Sequence, residues 1–358
     1  MATVESAAGD TGSKPGSDRV RRVSIGQRVL GANAAVGALI IVVFTWLLFA
    51  IIALATGSAT FLTMAGTLSY LDVAAQVGIV GTSVALLMIA GEFDLSIGSL
   101  IGFAGIVIGI CVTEFQLPVW SAILISMGLT TLLGVGNGFI VVRTGLPSFI
   151  VTLATLFIIK GITIVLTAEI TAITFIPIDR TIIASDPIAW IFNWQGGPEN
   201  NLKVSIFWWV LLAAIGAYVL GKTRFGNWIP GVGGNPVAAR NLGVPVARVK
   251  IVLFATTAFS AAILAAVQSM TFFSADVLRG QGMELRAITT AVIGGSLLTG
   301  GYGSVVGAAI GAAALGMASI GIVFANINGD WYSVAIGTLL LVAVVLNNWI
   351  RRRFAGLR

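Results

Sequence analysis

The stretch Ala90-Gly91-Glu92-Phe93-Asp94-Leu95-Ser96-Ile97-Gly98-Ser99 sets two carboxylates, two serines and two glycines into an otherwise apolar region, residues 73–112. Ionisable groups at membrane depth cost ~2.5–3.5 kcal/mol on insertion scales and face a cavity or a partner. The glycines permit a helix to break, and transporters bind solute at broken helices beside a cavity. A second reading makes this stretch a cytoplasmic turn in which Asp94 or Ser96 caps the next helix. Both hold if the turn lines the inner end of a pathway. Gln76, Asn137 and Gln268 also lie within apolar segments. Their amides can hydrogen-bond a polyol, or bond one helix to another. Lys160 lies away from either end of its segment. It pairs with Asp94 or Glu92, contacts the hydroxyls of a solute, or snorkels to the outer interface.

Other chemistries find little support. The chain has no histidine and one cysteine, Cys111, so an intrachain disulfide is excluded and the commonest metal ligand and proton shuttle is missing. No nucleophile–base or metal constellation is evident, and neither a metal nor a cofactor is expected. Residues 216–223, Gly-Ala-Tyr-Val-Leu-Gly-Lys-Thr, satisfy the phosphate-loop pattern G-x-x-x-x-G-K-[ST]. That pattern needs a buried strand before the loop and a helix N-terminus facing phosphate. Here it ends an apolar run over 205–220, and Lys222 and Arg224 read instead as topological anchors.

The elements that position these residues follow from composition. Of 358 residues, 57% are hydrophobic and 9% charged, against roughly 25% charged in a soluble domain. Spans are expected near 34–56, 73–91, 99–114, 119–141, 147–167, 205–221, 250–270, 285–300, 304–325 and 331–350. The fold is therefore an all-α, polytopic membrane protein of about ten transmembrane helices. The third and eighth are short enough to be tilted, broken or re-entrant. Residues 1–30 read as a disordered basic tail, 31–354 as the membrane domain with an external loop at 168–204 and a cytoplasmic segment at 222–249, and 355–358 as a short tail. The first apolar segment follows more than thirty residues and is long enough to span, so it is not read as a cleavable signal. Glycines are dense, as in Gly307-Ala-Ala-Ile-Gly311, a spacing that lets helices approach closely. A faint internal echo links Gly98-Ser99-Leu100-Ile101-Gly102 with Gly303-Ser304-Val305-Val306-Gly307.

Charge orients the topology. Fifteen of the 20 Lys and Arg fall on one side: Lys14, Arg19, Arg21, Arg22, Arg28, Arg143, Lys222, Arg224, Arg240, Arg248, Lys250, Arg351, Arg352, Arg353 and Arg358. That side, with both termini, is cytoplasmic. The external loop carries Glu169, Asp179, Asp186 and Glu199 against Arg180 and Lys203. The net charge of +6 is thus spread as membrane topology requires, and no nucleic-acid face is formed. Trp190, Trp194, Trp208, Trp209, Trp228, Trp331, Tyr332 and Trp349 fall near span ends, as an interfacial belt would place them. The cytoplasmic segment holds a short helix whose Ala238, Ala239, Leu242 and Val246 are expected on one side, ended by Gly243 and Pro245. Such a helix docks in a partner's groove or lies on lipid headgroups.

Four stretches in order resemble the ribose/xylose-type permeases of bacterial ABC importers. Residues 90–99 resemble the signature G-[GI]-x-D-L-S-[VI]-G-S, with Glu92 and Phe93 in place of the commoner Gly-Ile pair. Leu146-Pro147-Ser148-Phe149-Ile150-Val151-Thr152-Leu153 is similar to P/Q-[SA]-F-I-x-T-L. Gly233-Gly234-Asn235-Pro236-Val237-Ala238-Ala239-Arg240-Asn241-Leu242-Gly243-Val244 is similar to G-G-N-x-x-A-A-R-x-x-G-I. Met283-Glu284-Leu285-Arg286-Ala287-Ile288 through Gly294-Gly295 is similar to x-E-L-x-A-I-A-A-V-x-x-G-G, with Arg286 where a small or acidic residue is usual. The resemblance runs over roughly 60–350. It implies a permease of the bacterial inner membrane, not an enzyme, that moves a pentose, hexose or sugar alcohol. Its implied partners are a separate cytoplasmic ABC ATPase, an external sugar-binding protein and a second copy in a homodimer. Gly234, Asn235, Ala238, Ala239, Arg240, Leu242 and Gly243 would then contact the ATPase, and Glu92, Asp94, Ser96, Gln76, Asn137, Lys160 and Gln268 are candidates for the pathway. The alternative is an ion-coupled secondary transporter of a small polar solute, which usually needs more deep carboxylates or histidines than this chain has.

Overall fold

A computed structural model of the chain describes residues 34–197 and 200–355, with the side chains of 35–197 and 200–346. The tail expected at 1–30, Glu199, residues 356–358 and the side chains of Arg351, Arg352 and Arg353 lie outside these. Fourteen helices are described, and the only strands among the described residues are short. In order they are α1 (Ala34–Ala55), α2 (Met64–Ile89), α3 (Ile97–Thr113), α4 (Val119–Thr144), α5 (Ser148–Thr171), β1 (Phe175–Pro177), α6 (Arg180–Ser185), α7 (Trp190–Asn193), β2 (Gln195–Gly196), β3 (Leu202–Lys203), α8 (Val204–Lys222), α9 (Arg224–Gly234), α10 (Pro236–Asn241), α11 (Val246–Phe272), β4 (Ser274–Asp276), α12 (Met283–Ile293), α13 (Val305–Phe324) and α14 (Trp331–Ala355).

Every segment expected to span contains a helix, but seven are long and apolar enough to cross a membrane: α1, α2, α4, α5, α8, α11 and α13. At 1.5 Å per residue, the 17 residues of α3 cover about 25 Å of a ~30 Å hydrocarbon core. The span expected at 285–300 is an 11-residue helix, α12, of about 16 Å. The apolar pattern continues past Ile293, but Gly294 and Gly295 end the helix there, the latter at φ +85°. The most buried crossing helices are α2, α11 and α13; α5 and α8 are the least buried. Trp209 departs from the expected belt. It is buried, and its indole packs against Gly78 of α2, where a side chain would collide with it.

The residues of the faint echo sit differently, 98–102 inside α3 and 303–307 across the start of α13, but the helices that precede them end alike. The helix α2 ends with Glu92 N–H donating to Leu87 O (3.1 Å) and Gly91 N–H to Met88 O (2.9 Å). The helix α12 ends with Ser296 N–H donating to Ala291 O (2.9 Å) and Gly295 N–H to Val292 O (2.9 Å). Both are Schellman closures with a left-handed glycine at the same place; Gly91 has φ +82°. Each is followed by an irregular stretch and then a new helix, α3 or α13.

Chain 273–282 is non-helical yet runs down the face of α3. Gly109 meets Ala275 and Ile176, Gly102 meets the carbonyl of Val277, and Gly98 meets the carbonyl of Gly280. The glycine spacing of α3 therefore admits a bare backbone where the usual guest is a second helix. Non-helical backbone at membrane depth survives where protein surrounds it. Arg279 supplies part of that cover, its Nη1 donating to Ser274 O (2.8 Å) and its Nη2 to Ser274 Oγ (2.7 Å). At one end of the bundle β1 pairs antiparallel with β4, Phe175 opposite Asp276. There too Asp179 caps α6, taking the N–H and hydroxyl of Thr181 at 2.8 Å each, which hold its carboxyl below the ordinary range. At the opposite end lie the 90–96 break, α9, α10 and the loop 294–304.

This packing gives a contrast between two glycines. Gly102→Val drives a side chain into the Val277 carbonyl and is expected to lower stability by about 1–3 kcal/mol. Gly128→Ala in α4, where a Cβ meets nothing within 4 Å, is expected to be neutral or to stabilise by up to ~1 kcal/mol. Thermal unfolding of the purified protein in detergent checks both.

Candidate functional site: the break between α2 and α3

The seven residues between α2 and α3 are tied to three other helices, α4, α5 and α11, by their polar groups. Asp94 is 0% exposed. Its Oδ1 accepts the Ser96 N–H (2.9 Å) and hydroxyl (2.5 Å), and its Oδ2 accepts the Thr257 hydroxyl of α11 (2.7 Å). Ser96 Oγ in turn accepts from Asn137 Nδ2 of α4 (2.9 Å). A buried carboxyl is tolerable because every oxygen is met, and hydrogen bonds to a charged group are each worth roughly 1.5–3 kcal/mol. Asp94 thus turns the backbone ahead of α3 and at the same time fastens α3 to α4 and α11.

The first turn of α5 serves the backbone of the same break. Ser148 Oγ accepts the Phe93 N–H and Thr152 Oγ1 accepts the Leu95 N–H, both at 3.0 Å. Four residues apart on a helix, these hydroxyls share one face and satisfy donors that the interrupted helix leaves open. Glu92 forms an ion pair with Lys250 of α11. Lys160 therefore partners neither Glu92 nor Asp94. It sits half-buried midway along α5.

Glu284 is the residue whose importance the sequence concealed. It stands in the first turn of α12. Its Oε2 is buried without a hydrogen-bond partner and presses against Gly98 in the first turn of α3. Asp72 was equally silent in the sequence: it pairs with Lys203 (2.9 Å) and accepts from Ser205 Oγ (2.5 Å), locking α2 to the start of α8. Ser148 and Thr152 stand in the sequence only as part of the motif at 146–153, and Thr257 gives no signal beyond that of an ordinary hydroxyl in an apolar helix. Gln76 and Gln268 bond each other across α2 and α11 (2.9 Å), leaving Gln268 Oε1 buried and unmet.

The segment between α8 and α11 is built from caps. Thr223, the last residue of the phosphate-loop pattern, takes the Gly226 N–H (2.9 Å) and starts α9. Residues 216–222 are helical within α8, so no glycine loop exists there to cradle phosphate. Asn235 takes the N–H groups of Val237 and Ala238 (3.1 and 3.0 Å), with Pro236 at the first helical position of α10. The expected common side of Ala238, Ala239, Leu242 and Val246 is not formed. Ala239 and Val246 are buried, while Leu242 is 85% exposed and Val237 68%. The helix has six residues, and the turn at Gly243, φ +83°, sends Val246 into α11 instead. The outward apolar surface is Val237 and Leu242, flanked by exposed Arg240 and Arg248.

Removing the central carboxyl separates structure from cap. Asp94→Ala takes the acceptor from the Ser96 N–H and hydroxyl and leaves the Thr257 hydroxyl only the Phe254 carbonyl (2.8 Å), and is expected to cost about 2–4 kcal/mol; Asp94→Asn, which keeps one acceptor, is expected to cost less. Unfolding midpoints in detergent read the difference.

Residues 66–345 match the family described as branched-chain amino acid transport system / permease component. The chain is 29% identical to the fructose import permease of Rhizobium meliloti, over 91% of this chain and 88% of that one. It is 30% identical to the ribose import permease of Haemophilus influenzae, over 74% and 79%, and 31% identical to the xylose/arabinose import permease of Sulfolobus acidocaldarius, over 78% and 76%. With a polytopic helical bundle and a family match over most of its length, the chain belongs to the branched-chain amino acid transport system / permease component family, and it is a permease subunit of an ABC transporter, a membrane component without catalytic activity of its own.

Proposed function

We propose that this permease imports a simple sugar, a pentose, hexose or sugar alcohol, across a bacterial inner membrane, powered by a separate ATPase. The observation that carries the reading is the outward Val237–Leu242 surface with its flanking arginines. It projects at the end where the basic residues gather, on a rigid capped helix, as a docking surface for a cytoplasmic partner should. The relatives named for fructose, ribose and xylose support the solute class. An external binding protein would deliver the sugar, and two copies of the chain would enclose the path. Both termini then lie in the cytoplasm. Ten passes result if α3 and α14 are counted as crossings and the non-helical lead 273–282 completes the pass that α12 is too short to make.

Within this reading the polar groups divide. Asp94, Ser96 and Asn137 hold the inner end in shape, and Glu92 ties it to α11. Gln76 and Gln268 join α2 to α11. Lys160 and Glu284, half-buried on α5 and on the half-helix α12, are the groups best placed to meet sugar hydroxyls. A donor and an acceptor beside a broken helix suit a neutral polyol, which both donates and accepts hydrogen bonds. Residues 235–243 form the ATPase contact, with Gly234, Asn235, Ala238, Ala239, Arg240 and Gly243 shaping it and Leu242 filling the partner's groove.

Uptake of radiolabelled ribose, xylose and fructose into proteoliposomes holding the permease, its ATPase and its binding protein tests this. Uptake is expected to require ATP and to fall about tenfold or more for Leu242→Glu, since a charge buried in an apolar contact costs several kcal/mol. Uptake that continues without the ATPase and collapses with a protonophore would overturn the reading in favour of an ion-coupled carrier.

A further inference from the structure

The docking segment meets the end of α2 and the break that follows it through bare backbone, beside an apolar cluster that Ile89 and Ala90 share with Ile229 and Val232. Gly233, at the end of α9, lies against the carbonyl of Ile89, and a Cβ on it would stand 2.6 Å from Gly301 N. A Cβ on Gly300 would stand 2.7 Å from Gly91 Cα, and one on Gly301 3.1 Å from Gly234 Cα. Gly301 N–H donates to Ile89 O (2.8 Å) and fixes the register. Glycines from α9, from the end of α2 and from the 294–304 loop therefore meet at one point. On the far side of the docking segment, Lys250 pairs with Glu92. The break is thus gripped from both flanks of α10: by Gly233 and Gly234 before it, and by Lys250 after it.

We propose that this glycine contact and the Glu92–Lys250 pair form the joint that passes motion of the docking segment to the break, with Gly91, Glu92, Gly233, Lys250 and Gly300 as positioning residues. The proposal rests on the reading of 235–243 as the ATPase contact. Side chains that separate two elements can absorb a small shift by changing rotamer; bare backbones in contact cannot, and close-packed interiors transmit strain. A displacement of α10 must then move residues 90–96. Phe93 and Leu95 carry it to the first turn of α5 through Ser148 and Thr152, and Asp94 carries it to α11 through Thr257. The loop that follows α12 moves with them through Gly300 and Gly301, so the half-helix bearing Glu284 receives the same displacement.

The test uses the assembled permease–ATPase complex in lipid nanodiscs, with Cys111→Ala as background and maleimide labelling as readout. Leu242→Cys reports docking and is expected to be protected by the ATPase. Phe93→Cys reports the break, and its labelling rate is expected to change about fivefold or more when a non-hydrolysable ATP analogue is added, within the range of coupling between linked sites. Glu92→Lys and Gly233→Ala are each expected to abolish that response while Leu242→Cys stays protected. Glu92→Lys combined with Lys250→Glu is expected to restore it, which a merely misfolded variant would not do. An unchanged response in Glu92→Lys, or no response at Phe93→Cys in a complex that protects Leu242→Cys, overturns the joint. Failure of the ATPase to protect Leu242→Cys overturns the docking reading, and the joint with it.

Discussion

The arrangement depends on one buried carboxyl. Asp94 lies in a gap between two helices, excluded from solvent, and its two oxygens take three hydrogen bonds from α11 and from its own turn. The backbone at the gap has lost its helical partners, so each donor must be met locally or the chain would close into a continuous helix. Asp94, Ser148 and Thr152 supply those acceptors. Their cost is that four helices become committed to one small loop. That commitment joins α3, α4, α5 and α11 through one set of hydrogen bonds.

A second constraint follows from the short helices. A 17-residue α3 and an 11-residue α12 leave backbone at membrane depth without helical hydrogen bonds. The bundle meets this by laying 273–282 against the glycines of α3 and closing it with Arg279. The same shortfall puts the first turn of α12, and Glu284 with it, beside the first turn of α3. The repeated Schellman endings of α2 and α12 place two interrupted helices at one end of the molecule. Inverted or parallel repeats of this kind frame the solute path in many transporters.

Much of the fold was legible because hydropathy is a property of segments, summed over some twenty residues. Each expected span contains a helix, and Arg143, Lys222, Arg224, Arg240, Arg248 and Lys250 gather toward one end of the bundle. What failed was finer. The eighth span was drawn through Gly294 and Gly295 because glycine is not polar enough to interrupt an apolar run, although its left-handed turn ends the helix. Gly243 ends α10 as expected, but the common side expected for Ala238, Ala239, Leu242 and Val246 does not form, since the turn there buries Val246 and leaves Leu242 outward. Of the site, Asp94, Ser96 and Asn137 were visible as polar groups in apolar surroundings. Thr257 was not, since a hydroxyl in a helix usually bonds its own preceding turn, and Ser148 and Thr152 stood out only as members of the motif at 146–153. Glu284 stood within a recognised motif, but only the close approach of Gly98 shows what its carboxylate meets.

Asp94 joins the break to α11 as one unit through the Thr257 hydroxyl. A double-mutant cycle on Asp94→Asn and Thr257→Val, read from unfolding free energies of the purified permease, tests it most directly. The contact at 2.7 Å predicts a coupling energy of about 1 kcal/mol or more, as residues in one hydrogen-bond network show. Strictly additive effects, within about 0.3–0.5 kcal/mol, would contradict it and leave Asp94 as a local cap.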